Sequence, residues 1–277
     1  MSLTVIEAGK TERGYWSDLW RYRELFFFLS WRDILVRYKQ TAIGVLWAVI
    51  RPLLTMIVFT FVFRQLANVP SDGLPYAVMV YAGMLPWQFF SSSMSEASNS
   101  LIVGANMLSK IYFPRLIVPA SAVIVSFVDF LISLVIMVGL MAWYEVVPGW
   151  QLITLPLFTL LGFFTSVGTS LWLSALNVKY RDFRYVIPFI LQFGVYITPV
   201  GYPAALVRNK FGETAYHLYC LNPMVGVING FRWSIGGSSH VVMDWSSVLI
   251  SVLVVTVVTA SGLRYFRATE ETFADII

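Results

Sequence analysis

Long apolar runs alternate with short polar connections along this chain, at lengths that suit a lipid bilayer. About twenty mainly apolar residues cover a ~30 Å hydrocarbon core at ~1.5 Å rise per residue. Six stretches meet that length, at about 43–63, 76–96, 117–143, 151–176, 185–203 and 246–265. They predict an all-α integral membrane protein with six transmembrane helices in a domain spanning 43–265, between an N-terminal region 1–42 and a tail 266–277.

Two segments break this pattern. In 15–29 (YWSDLWRYRELFFFL), Trp16, Leu19, Trp20, Arg23 and Phe27 recur at helical spacing while Asp18, Arg21 and Glu24 point elsewhere. That pattern predicts an amphipathic helix lying in the membrane interface, and it also fits a soluble helix docked on a partner. Ser30 then stands where it can cap a second short helix, in which Asp33 and Arg37 form an i,i+4 pair. The segment 204–243 is too polar to cross, yet it contains CLNPMVGVINGFRWSIGG, punctuated by Pro223, Gly226, Gly230, Gly236 and Gly237. It reads either as two short re-entrant helices over about 204–240 or as an amphipathic hairpin outside the membrane. Gly226 and Gly230 form a G-x-x-x-G step able to seat a close helix contact.

Composition agrees with the membrane class: 58% of residues are hydrophobic and 12% charged, against about 45–50% and ~25% in soluble domains. The net charge of +4 does not point to nucleic acid, because Lys and Arg in a multispanning chain first set topology. With both termini in the cytosol, the cytosolic segments hold fourteen Lys/Arg and the opposite side four (Arg64, Arg208, Lys210, Arg232), with Arg51 inside the bilayer. The first thirty residues lack the apolar core of a cleavable signal peptide, and the single Cys220 excludes an internal disulfide.

No catalytic constellation is present in the sequence. Gly9-Lys10-Thr11 lacks the upstream glycine of a phosphate loop, that position being Thr4. His217 and His240 have no paired ligands, so no metal site is indicated. Energy for uphill movement would come from a separate subunit or an ion gradient.

What polar chemistry there is lies inside the spans. Arg51 and Asp129 are the deepest full charges, and they either pair with each other or are satisfied separately by hydroxyls, water or snorkelling. Trp47 and Arg51 share a helix face at i,i+4, as do Phe59 and Phe63, Phe189 and Phe193, and Gln192 and Tyr196. Rings beside guanidinium and amide groups suit sugars, whose C–H faces lie on rings while their hydroxyls take hydrogen bonds. An interfacial aromatic belt is the default reading for Tyr76, Trp87, Tyr144 and Trp150. The loop 98–116 predicts a short helix ending before Pro114, with Leu101, Leu108 and Ile111 on its apolar side and Asn106, Met107 and Lys110 presented outward to fit a partner's groove.

Several of these stretches also carry a family resemblance. WRDILVRYKQTAIGVLWAVIRPLL, GMLPWQFFSSS, SNSLIVGANMLSKIYFPRLIVP, LNVKYRDFRYVIP and LNPMVGVINGFRW, in that order, resemble the polysaccharide-exporting branch of ABC-2 transporter permeases, the O-antigen (lipopolysaccharide) export permease above all, with capsule and teichoic-acid exporters as near relatives. The resemblance implies a six-span permease subunit, not itself an enzyme, in a bacterial inner membrane. It implies a homodimer with two separate ATPase subunits, which would hold ATP and Mg while this chain binds no cofactor. By that similarity 15–29 is the interface helix, and about 103–112 (Gly104, Ala105, Asn106, Met107, Lys110) is the ATPase coupling helix. The first and fifth spans would line the conduit, with Trp47, Arg51, Phe59, Gln192 and Tyr196 along it. A polyprenyl-pyrophosphate-linked glycan would meet Arg32, Arg37, Lys39, Arg181 or Arg184 at the cytosolic gate. Small-molecule export and a membrane enzyme acting on polyprenyl-linked sugars are the competing readings. The enzyme reading is disfavoured because Asp33, Glu96 and Asp182 do not cluster.

Overall fold

The computed structural model describes residues 15–39, 46–71, 73–108, 110–238, 241–270 and 272–273. Gly9-Lys10-Thr11, His240, the start of the first expected span and the end of the tail lie outside the described residues. Among the described residues every regular element is a helix.

α1 (Tyr15–Arg21) and α2 (Arg23–Lys39) follow one another across Tyr22, whose N–H still bonds Asp18 O at 2.9 Å. The break expected at Ser30 does not occur. Ser30 lies inside α2 and its hydroxyl donates to Phe26 O at 2.9 Å, because a serine without a neighbouring glycine or proline can satisfy itself within a helix. The expected Asp33–Arg37 pair is also absent, since Asp33 bridges Arg32 at 2.8 Å instead.

α3 (Leu46–Phe59) runs into a π-helical stretch, Thr60–Leu66, and contains Pro52. α4 (Tyr76–Val103) is the centre of the molecule. It packs against α3, α6 (Ile117–Trp143) and α7 (Leu155–Lys179), the last preceded by a 3-10 turn at Trp150–Thr154. A four-residue helix, α5 (Ala105–Leu108), joins α4 to α6. α8 (Phe183–Ile197), α9 (Ala205–Tyr219), α10 (Pro223–Gly236) and α11 (Trp245–Glu270) complete the order.

Among the described residues four helical stretches are long and apolar enough to cross a membrane: Val49–Leu66, Ile117–Trp143, Trp150–Lys179 and Trp245–Glu270. α4 is not among them despite its 28 residues, because Gln88, Ser91, Ser92, Ser93, Glu96 and Asn99 dilute its second half. Of these Ser93 is buried, Gln88, Ser91, Ser92 and Asn99 are half-buried, and Glu96 is exposed and held by Arg37. α8 has 15 residues and ends at Ile197, short of the expected 203. Thr198 turns extended there (ψ 145°), and the carbonyls of Val200 and Tyr202 are used by Arg232.

α10 is the most enclosed short element, with 12 of its 14 residues buried. Asn222 caps it by accepting from Met224 N–H at 3.1 Å, and Pro223 supplies the first helical position, where no N–H is needed. The G-x-x-x-G step is a packing device. A Cβ on Gly226 would lie 2.3 Å from Ser251 Oγ and 2.6 Å from Ser247 O, and one on Gly230 would lie 2.1 Å from Phe158 Cδ1. Gly226→Val should therefore force α10 away from α11 and destabilise the protein by about 1–3 kcal/mol, the usual cost of overpacking. An unchanged thermal unfolding midpoint in detergent would show that the two helices have room to part.

Candidate functional site

A cavity of about 510 Å³ opens where α2, α3, α4 and α6 meet. Helical spacing builds its walls. Tyr81, Leu85, Gln88, Ser92 and Glu96 recur every three or four residues along one face of α4, and Ser126, Asp129 and Ser133 do the same on α6. α3 contributes Trp47 and Arg51, one turn apart, together with Pro52. α2 contributes Arg37 and Tyr38 from its last turn. Rings, hydroxyls, an amide and four charged groups thus face one space.

The charges are organised around Arg37. Its Nη1 donates to Asp129 Oδ2 and its Nη2 to Glu96 Oε1, both at 2.5 Å, tying α2 to α6 and α4 at once. The Tyr38 hydroxyl donates to Asp129 Oδ1. Burial first, and then the Asp129 carboxylate, push the Tyr38 hydroxyl above its ordinary pKa, so it remains a donor. The Arg51–Asp129 pair is therefore not formed: both groups line the cavity, but Arg37 and Tyr38 occupy Asp129. Arg51 is exposed and makes no ion pair among the described residues.

The other expected site residues divide. Phe59 stacks on Tyr196 with centroids 6.1 Å apart and lies 5.4 Å from Phe63, which brings α3 and α8 together. Phe59 is itself buried, whereas Gln192 and Tyr196 are exposed on α8. Phe189 and Phe193 sit together at 4.6 Å. Arg32 and Lys39 are exposed on α2, and Arg181 and Arg184 are exposed at the connection into α8. Lys39, Arg181 and Arg184 join no ion pair among the described residues. Tyr76 and Trp87 depart from the belt expectation. Both are buried, and Tyr76 donates to Gly201 O at 2.5 Å, whereas Tyr144 and Trp150 are exposed.

The α4–α6 connection holds a shorter helix than expected. Gly104 N–H closes α4 on Ser100 O at 2.9 Å, Ala105–Leu108 follow, and Lys110, Ile111 and Tyr112 are exposed. Leu101 does not belong to its apolar side, because it is fully buried at the end of α4 in a second core with Phe113, Ile117, Ala175 and Phe266. Met107 packs against that core rather than facing outward.

Two polar features were missed in the sequence. Arg232, only 4% exposed, donates from α10 to Met79 O (3.2 Å), Tyr202 O (2.9 Å) and Val200 O (2.8 Å). An arginine inside an apolar, glycine-punctuated stretch was the available signal. At the start of α11, Asp244 accepts from Arg208 (3.0 Å), Ser246 (2.7 Å) and the Tyr216 hydroxyl, while Arg208 lies 4.2 Å above the Tyr216 ring. Burial opposes ionisation of Asp244, but the hydrogen bonds from Tyr216, Ser246 and Arg208 outweigh it and hold the carboxyl below the usual range.

Of the helices around the cavity, α6 and the stretch that carries Arg51 and Pro52 are long and apolar enough to cross a membrane. Residues 24–235 match the model of the family described as ABC-2 type transporter. The chain belongs to the ABC-2 type transporter family. A protein named "O-antigen export system permease protein RfbA" from Myxococcus xanthus is 27% identical over 264 residues, covering 94% of this chain and 98% of that protein. A protein of the same name from Klebsiella pneumoniae is 26% identical over 255 residues, covering 92% of this chain and 95% of that protein. The ABC-2 match takes in α2 from Glu24 onward, the cavity, α8 and nearly all of α10.

Proposed function

We propose that this chain is the transmembrane subunit of an ATP-driven exporter that moves a lipid-linked polysaccharide of the O-antigen type across the bacterial cytoplasmic membrane. The observation that carries this reading is near end-to-end similarity to permeases named for O-antigen export. The cavity adds chemical support, since Trp47, Tyr38 and Tyr81 stand beside Gln88 and three serines, a mixture suited to sugar faces and hydroxyls.

In this arrangement α3, α4, α6, α7, α8 and α11 are the six crossing helices, with both termini cytosolic as the Lys/Arg asymmetry directs. α1 and α2 lie at the cytosolic interface. α9 and α10 form the outer re-entrant pair, shielded as a broken backbone must be. Two copies enclose the conduit, and two ATPase subunits dock at the α4–α6 connection through Gly104, Ala105, Asn106 and Lys110. Hydrolysis there moves α4, which carries Glu96 and Gln88 at the cavity.

The coupling element is tested by Ala105→Trp and Lys110→Glu. Both should retain membrane insertion while ATP hydrolysis in the complex ceases to respond to substrate. Normal coupling in both variants would place ATPase docking elsewhere. The conduit is tested by Trp47→Ala and Tyr196→Ala, each expected to reduce glycan export severalfold at unchanged protein level. Undiminished export in both would return these rings to a packing role.

A further inference from the structure

The two arginines of the cavity are not equivalent, and the difference locates an anion site. Arg37 is already committed: Asp129 and Glu96 each hold it at 2.5 Å. An incoming phosphate at Arg37 would have to displace carboxylates and would be repelled by those remaining. Arg51 lines the same cavity without an ion pair among the described residues and is exposed. A guanidinium within an apolar stretch is costly unless water or an anion meets it, and its planar fork matches two phosphate oxygens. Trp47, one turn earlier on the same face, puts a ring beside that charge.

We infer that Arg51 is the contact for the phosphate group of an amphiphilic substrate, and that Arg37 is a positioning residue that holds α2, α4 and α6 around it. For the identity of the amphiphile the inference rests on the exporter reading, with the phosphate standing between hydrocarbon and sugar. It adds Arg51 to the cations expected to meet the pyrophosphate (Arg32, Arg37, Lys39, Arg181 or Arg184) and gives Arg37 a different task. The phosphate oxygens take Arg51, the first sugar lies against Trp47 and the serine-lined wall of α4 and α6, and Glu96 and Asp129 keep the anion off the Arg37 side.

The experiment is equilibrium binding to the full-length permease in nanodiscs, without ATPase, using farnesyl pyrophosphate, farnesol and inorganic pyrophosphate as probes. Farnesyl pyrophosphate should bind at least about tenfold more tightly than farnesol, as a charge-assisted contact implies. Arg51→Gln should abolish that difference, and Arg51→Lys should restore part of it. Arg37→Gln, which releases the Asp129 and Glu96 carboxylates beside the site, should reduce the preference for the anionic probe without abolishing it, and Arg37→Lys should recover it. Arg51-dependent binding of pyrophosphate as tight as that of farnesyl pyrophosphate would identify a free anion as the ligand. Much weaker binding of pyrophosphate would identify the lipid-linked phosphate. Equal binding of farnesol and farnesyl pyrophosphate, or an Arg51→Gln variant with the preference intact, overturns the assignment. So does a folded Arg37→Gln variant that loses the preference as completely as Arg51→Gln. Because no ATPase is present, these results stand apart from the exporter reading, which fails separately if substrate never affects ATP hydrolysis.

Discussion

Replacing Arg232 by methionine should lower the stability of the fold by about 2–5 kcal/mol, the largest loss expected from any single substitution in α10. The guanidinium joins α10 to α4 through Met79 O and to the turn after α8 through Val200 O and Tyr202 O. Met79 O lies within a helix and keeps its own ladder partner, so its loss is modest. The other two carbonyls belong to an irregular turn, and a buried acceptor left without a donor costs ~1–3 kcal/mol. Gly83 sits against this guanidinium, where an added Cβ would lie 3.0 Å from Arg232 Nη2, so the space is shaped to the arginine. Arg232→Lys keeps the charge but not the fork, and should recover only part of the loss. Cys220 reports the event: it is the only cysteine, fully buried, and burial pushes its thiol up to about 11. A thiol-reactive dye should therefore label Arg232→Met at a markedly lower temperature than the parent protein. Identical labelling curves would mean that the turn carbonyls find other donors.

The second large effect is expected at Asp129. Removing it as Asp129→Ala leaves Arg37 with Glu96 alone and takes the acceptor from Tyr38. Side chains of this pair are 29% and 27% exposed, so the loss should fall between that of surface and buried pairs, at about 1–3 kcal/mol. Asp129→Asn, which still accepts from Tyr38, should lie between Ala and the parent. The exchange Arg37→Asp with Asp129→Arg should recover part of the stability, because the bridge spans two helices in either direction. A double-mutant cycle on Arg37 and Asp129 that returns no coupling energy would show that α2 is held to α6 by its apolar contacts alone.

How far the sequence went depends on the range of the interaction concerned. Helix positions followed from 3–4 spacing and apolar length, and the α3, α4, α6, α7 and α11 segments were found within a few residues. Local rules were weakest where a long-range partner competed. Arg37 was assigned to Asp33 by i,i+4 spacing, yet its partners lie 59 and 92 residues away, and nothing in the local sequence marks them. Asp129 stands out as a charge in an apolar stretch, and neither a pair with Arg51 nor separate satisfaction by hydroxyls or water named Arg37, its partner from another helix. Tyr76 and Trp87 looked like belt residues from their place at the ends of an apolar run, but α4 is enclosed by protein and both rings are buried. The G-x-x-x-G step was legible because close helix packing needs small residues at a fixed spacing, and here it meets Ser251 and Phe158. The family resemblance rested on ordered segments rather than single residues. It proved sound for the ABC-2 family; of the pyrophosphate contacts it implied at Arg32, Arg37, Lys39, Arg181 or Arg184, Arg32 and Arg37 are held in ion pairs.

The central claim is that this chain forms a passage for lipid-linked glycan and draws its energy from a partner. The measurement that tests it most directly is ATP hydrolysis by the purified protein, alone and then with ABC-type ATPase subunits from the same genome, with and without lipid-linked glycan. The account predicts no hydrolysis by the chain alone and glycan-sensitive hydrolysis in the complex. Failure to form any complex with an ATPase, or hydrolysis indifferent to every lipid-linked glycan offered, would contradict it.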